Sequence, residues 1–165
     1  MLGYIISDEP GEADAIFGQM ATALIAQDVN LTGVVQHTTR DEGAKQEMAL
    51  HLLPNGPRIG ISQDLGKGAT GCSLDAEGLE HAAGLIATAL EGAPDLLLLN
   101  KFGKQEAEGQ GFRAAIGAAL SQDIPVIIGV GRAKLPLFLE FCGEFGEELP
   151  KDAQALLAWA KAQIG

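Results

Sequence analysis

Apolar side chains recur along this chain at two alternating spacings. Leu2–Ile6 is a short apolar run that stops at Ser7-Asp8-Glu9-Pro10-Gly11. Beyond it, Ala13, Ile16, Phe17, Met20, Ala21 and Leu24 fall three or four residues apart, the spacing of one helical face. Leu31–Gln36 predicts a second strand. Met48–Leu53, the turn Pro54-Asn55-Gly56-Pro57 and Arg58–Ser62 predict a hairpin, because Asn-Gly beside proline supplies turn geometry. Leu79, Ala82, Ala83, Ile86, Ala89 and Leu90 predict another amphipathic helix, with Asp75 as its N-cap. Leu96-Leu97-Leu98-Leu99 has no polar alternation, as expected of a strand buried on both faces of a parallel sheet. Phe112, Ile116, Ala119 and Leu120 mark a helix, and Ile124–Ile128 the last clear strand. Helices around Leu135–Phe141 and Ala153–Ile164 follow, with Phe138 and Trp159 as core residues.

Strand–helix–strand repeats need crossover connections, so the expected fold class is α/β. The predicted architecture is a mostly parallel sheet covered by helices on both faces, a three-layer sandwich with an antiparallel hairpin towards one edge. Leu96–Leu99 is expected at the centre, beside Leu2–Ile6. No linker, repeat or low-complexity segment interrupts residues 1–165, which read as one domain.

Charge narrows the partners. Acidic side chains number 22 against 11 basic ones, a net charge of −11, and such a surface repels nucleic acid and anionic membrane. No apolar stretch is long enough for membrane insertion. The N-terminus has no basic region ahead of Leu2–Ile6, so no signal peptide is expected. Two cysteines, Cys72 and Cys142, form no disulfide framework, and the expected compartment is the cytoplasm. A homo-oligomer is compatible with the sequence, and no cofactor is specified by it.

In a parallel sheet, ligands sit where loops leave the C-terminal ends of strands. The loop Ser7–Asp14 has the position of a phosphate-binding loop. Such a loop needs glycine N–H groups, a lysine and a hydroxyl for magnesium. Here Glu12 and Asp14 stand at the helix entrance and offset the positive helix end that would attract phosphate. An acidic first turn also simply stabilises a helix. Triphosphate binding in the usual mode is not expected.

The loop Gly66–Asp75 carries Gly66, Lys67, Gly68, Thr70, Gly71, Cys72 and Ser73. Its G-x-G-x-x-G does not run straight from strand to helix, so a dinucleotide fingerprint is a weak reading. Backbone amides there could hold a small oxyanion, and the competing reading is a turn that needs glycine. Cys72 at a helix start suggests a nucleophile, but no base accompanies it and a packed thiol is the simpler reading. The third loop, Asn100–Arg113, opens with Asn100 where a magnesium-binding acid is usual. It gathers Lys101, Lys104 and Arg113, three of the eleven basic side chains. Pairing with Glu106 and Glu108 is the ordinary alternative. Asn100-Lys101 is similar to the start of N-K-x-D, but Gly103 replaces the aspartate. His37, His51 and His81 with Cys72 show no regular metal spacing, and no metal is expected.

The run from Asp95 to Gly109, with Ile61–Gly66 and Gly71–Asp75 before it, resembles a bacterial family of unknown function. That family is associated by name with molybdenum (molybdate) ABC transporter ATP-binding proteins. More distantly, the second half resembles the small P-loop nucleoside triphosphatases first known from thermophiles. Their acidic strand end and I-G-x-M-E fall on Asn100 through Glu106, and their G-K-T loop falls near Ala13-Asp14-Ala15. The resemblance implies a P-loop-NTPase-like domain whose Walker A lysine has become Asp14 and whose Walker B acid has become Asn100.

Two functions are expected in competition. One is a non-catalytic binding or regulatory domain for a small anionic ligand, an oxyanion such as molybdate. It would be held by Gly66–Ser73, Asp75, Asn100, Lys101, Lys104 and Arg113. The alternative is a nucleoside triphosphatase or other phosphoester enzyme with an atypical phosphate site and Glu106 or Asp75 as base.

Overall fold

The computed structural model describes residues 1–9, 11–39, 47–62 and 75–164. Strand β1 (Leu2–Ser7) runs into helix α1 (Glu12–Ala26), and β2 (Leu31–Thr39) follows. Next come β3 (Glu47–Leu53), β4 (Arg58–Gly60), helix α2 (Ala76–Leu90) and β5 (Leu96–Phe102). The four-residue helix α3 (Lys104–Ala107), α4 (Arg113–Ser121) and β6 (Val126–Gly131) lead to α5 (Leu135–Cys142). A short strand β7 (Gly146–Glu148) and α6 (Ala153–Ile164) close the chain.

Among the described residues, seven strands form one sheet in the order β4-β3-β2-β5-β6-β1-β7. β3 is antiparallel to both β2 and β4, and the other neighbouring pairs are parallel. The hairpin therefore lies at one edge, as its turn residues predict. The four leucines of β5 are fully buried near the middle. Their neighbours differ from the expectation: β5 pairs with β2 and β6, and β6 separates it from β1. Val126, Ile127 and Ile128 are as buried as the leucines. A run that is apolar on both faces says that a strand is internal, and says nothing of which strand adjoins it.

The sheet divides the core. One face packs Leu97, Leu99, Val126 and Ile128 under α2, α4 and α5 residues such as Ile86, Ile116 and Phe138. The other packs Leu96, Leu98 and Ile127 against Phe17, Met20 and Leu24 of α1 and Leu156 of α6. Each such side chain contributes about 1.5–3 kcal/mol on burial, so the helical stripe of α1 is what fixes that helix over β5. Gly33 lets β2 and β5 approach: its φ is +147°, and a Cβ there would collide with the Leu98 backbone. Among the described residues, no helix is long and apolar enough to cross a membrane.

Candidate functional site

Because β1, β2, β5 and β6 are parallel, their C-terminal ends open at one end of the sheet. A cleft of about 1040 Å³ lies there. Ser7 at the end of β1 and Asp8 and Glu9 after it form one wall, with Gly11, Ala13 and Asp14 at the start of α1. Gln36, His37 and Thr38 of β2 face them, Asn100 and Lys101 come from β5, and Gly131 and Arg132 from the end of β6.

Gly11 caps α1 in the left-handed region at φ +79°, and the Ala15 N–H donates to its carbonyl at 3.1 Å. This turn delivers Asp14 to the cleft. Burial pushes the Asp14 carboxyl up, against the opposing pull of the Asn100 amide and the Lys101 charge. Asn100 is buried beside it, and its Nδ2 donates to Gln36 Oε1 at 3.0 Å. Gln36 Nε2 in turn donates to Thr38 Oγ1 at 3.1 Å. Carboxyl, amides and hydroxyl thus form a continuous polar lining beside the Lys101 ammonium.

Two other acids of this loop, Asp8 and Glu12, are paired. Arg132 Nε donates to Asp8 Oδ1 at 2.5 Å, and Lys151 Nζ to Asp8 Oδ2 at 2.8 Å. These hydrogen bonds hold the Asp8 carboxyl well below the usual carboxylate range, Arg132 contributing most. Lys151 also reaches Glu12 Oε1 at 2.6 Å. Asp8 ahead of α1 and Glu12 in its first turn are thus paired with cations from distant segments, and among the described residues Asp14 is not.

The residues singled out in the sequence separate in space. Gly66, Lys67, Gly68, Thr70, Gly71, Cys72 and Ser73 lie outside the described residues. β4, which precedes them in the chain, ends at the same end of the sheet as β5, with β3 and β2 between. Asp75 caps α2, its Oδ1 accepting the Glu77 N–H at 3.0 Å, as its position predicts. Asn100 and Lys101 line the cleft; Lys104 and Arg113 do not. Arg113 makes its contacts away from the cleft lining. Arg113 Nη1 donates to the carbonyls of Glu106 and Ala107 at 3.4 and 3.3 Å, and its guanidinium lies 4.9 Å from the Phe141 ring centroid. It ties α3 and α4 to α5.

Glu106 is likewise structural. It is 3% exposed; Oε1 accepts the Gly103 N–H at 2.8 Å and Oε2 the Phe112 N–H at 3.0 Å. Burial raises its pKa, while those two N–H groups oppose the rise. Both oxygens are engaged by backbone N–H groups, and Glu106 does not line the cleft. The His37 and His51 rings lie 6.0 Å apart. Among the described residues, no group of three or more His, Cys, Asp or Glu side chains could hold a metal. The cleft residues that sequence reasoning missed are Gln36, His37, Thr38 and Arg132. Their signal was positional: polar side chains at C-terminal strand ends.

The family model for "Protein of unknown function (DUF2478)" matches residues 2–159. The chain belongs to the DUF2478 family. This DUF2478 chain is 34% identical over 149 residues to molybdenum import ATP-binding protein ModC 2 of Bradyrhizobium diazoefficiens, a match covering 90% of the chain. It spans 17% of that relative's length. In fold it is similar to a human cancer-related nucleoside triphosphatase, with a TM-score of 0.65 at 17% identity, covering 98% of this chain and 95% of that one. It is also similar to THEP1 of the hyperthermophile Aquifex aeolicus, with a TM-score of 0.67 at 12% identity, covering 98% and 96%. At these identities the likeness establishes the fold: the DUF2478 chain has a P-loop-NTPase-like α/β architecture with an antiparallel pair at one edge.

Proposed function

We propose that this domain is a non-catalytic binding or regulatory module that holds a small oxyanion in the cleft between β1, β2, β5 and β6. The observation that carries the reading is the placement of Asp14. A half-buried carboxyl stands at the helix entrance, where this fold would use a lysine to hold nucleotide phosphates, and the strand end that would carry a magnesium-binding acid presents Asn100. The Walker A and Walker B positions are degenerate on this reading. What remains favours an anion without a metal. Lys101 supplies charge, while the amides and the hydroxyl supply donors. Molybdate is the specific suggestion, taken from the name of the ModC 2 relative.

Thermal melting of the chain with molybdate, sulfate, phosphate, ATP and GTP, with and without magnesium, tests it. A ligand that binds the native state raises the melting temperature by mass action. Molybdate or another tetrahedral anion should raise it without magnesium. A rise confined to magnesium nucleotide, accompanied by turnover, would overturn it.

The cleft volume favours one second reading. A space of about 1040 Å³ exceeds what a tetrahedral anion fills and suits a nucleotide-sized molecule. A phosphoester enzyme with an atypical phosphate site is that alternative, and the ATP and GTP arms separate it from the first.

A further inference from the structure

The charge at the mouth of the cleft has an arrangement that the anion reading leaves unused. Arg132 follows the end of β6 and lines the cleft with Asp8 and Lys101. Its side chain is 64% exposed, so little packing fixes it, and its contact inside the protein is the carboxylate of Asp8. That carboxylate is gripped on two sides, by Arg132 on Oδ1 and Lys151 on Oδ2. A planar anion bound by a guanidinium and an ammonium is the same chemistry that binds an oxyanion from solution.

We infer that Arg132 is a second anion-binding residue of the cleft, and that Asp8 is the internal anion occupying it when no ligand is bound. The inference rests on the oxyanion reading above and adds a residue and a competition to it. A ligand held by Lys101 from the β5 side takes the guanidinium from Asp8, and Asp8 stays with Lys151. Lys151 is also held by Glu12, so releasing Arg132 costs one exposed ion pair and does not dismantle the cluster. Asp8 thereby sets the affinity: it makes every anion compete with a carboxylate already in place.

The experiment is calorimetric titration of sodium molybdate, with sulfate as a second tetrahedral probe, into the full chain. The proteins are the parent, Asp8→Asn, Arg132→Gln and the double variant. Asp8→Asn should bind about two- to five-fold more tightly, the factor that one exposed ion pair represents. Arg132→Gln should bind more weakly than the parent, and Asp8→Asn should give no gain in the Arg132→Gln background. A gain of equal size in both backgrounds would mean that Asp8 acts only by through-space charge, and overturns the assignment. Parent-like binding by Asp8→Asn overturns it as well while leaving the anion site standing. If neither the parent nor Asp8→Asn binds either probe, the oxyanion reading itself falls. Melting curves of each variant confirm that the folded chain is being titrated.

Discussion

Gly103 donates its backbone N–H to Glu106 Oε1 at 2.8 Å, so the acid three residues ahead closes the first turn of α3 from inside the protein. The second oxygen accepts from Phe112, at the entry to α4. One carboxylate therefore serves two buried donors. Glu106→Ala should lower stability by about 2–4 kcal/mol, the cost of leaving such donors unpaired, as read by urea denaturation. Glu106→Gln, which keeps one acceptor, should lose less. Anion binding should be unchanged in both, because Glu106 is not in the cleft. A parent-like urea midpoint for the alanine variant would contradict the role given to Glu106.

Gly33→Ala tests the close approach of β2 and β5. The new methyl group meets the Leu98 backbone at a φ of +147° that L-residues rarely adopt. Backbone cannot swing aside as a side chain can, so a loss of about 3 kcal/mol or more is expected. Soluble, cooperative folding with an unchanged midpoint would show that the pairing is looser than described.

These two positions show what a sequence does and does not carry. The helix stripe of α1, the Asp75 cap and the buried leucines of β5 are local patterns, and each corresponds to a local fact of the structure. Strand order is not local. The apolar run of β6 has the same pattern as that of β5, which is why β1 was expected beside β5. Strand β7, Gly146-Glu147-Glu148, has almost no strand signal. It exists because β1 offers it a ladder, continued by the Leu149 N–H donating to the Tyr4 carbonyl. The site divides the same way. Lys101 was legible as a charge at a strand end, but Arg113 sits a dozen residues on, at a helix start that faces Phe141. Arg132, 31 residues after Lys101, follows a strand of a sheet whose order had to be known first.

Lys101→Ala and Arg113→Ala should behave oppositely. The first should weaken molybdate binding by about ten-fold or more, the loss of a charge-assisted contact, with little change in melting temperature. The second should leave binding intact and cost about 1–2 kcal/mol, from the carbonyl contacts and the ring stacking of its guanidinium. Titration and denaturation of the pair check both. Weakened binding in Arg113→Ala at full occupancy of the folded state would restore Arg113 to the site.

Asp14 gives a pH signature. Burial raises its folded pKa above the unfolded value near 3.8, so the folded state binds the proton more tightly. Its contribution to stability is then greatest below the unfolded pKa and is lost as pH rises through the folded one. Asp14→Asn should melt higher than the parent at pH 7, and the difference should vanish towards about pH 4. An advantage that grows on acidification has the wrong sign for a desolvated acid.

No magnesium-dependent release of phosphate from ATP or GTP above a buffer blank is expected. On the proposed reading, the carboxyl of Asp14 and the amide of Asn100 stand in place of the cation and the metal-binding acid that this chemistry requires. Turnover that disappears on changing Asp14 would mean that the loop is a working one of another kind.

Among the described residues, the sheet ends on both sides in strands of three residues, β4 and β7. Little bare backbone is left there for a foreign strand to extend. On the β7 side the exposed glutamates reinforce this, since two copies meeting edge to edge would bring Glu147 and Glu148 of both chains together. The long, wholly apolar strands that would aggregate if uncovered are all internal. Growth by sheet addition is therefore disfavoured at these edges, a property set by the two shortest strands.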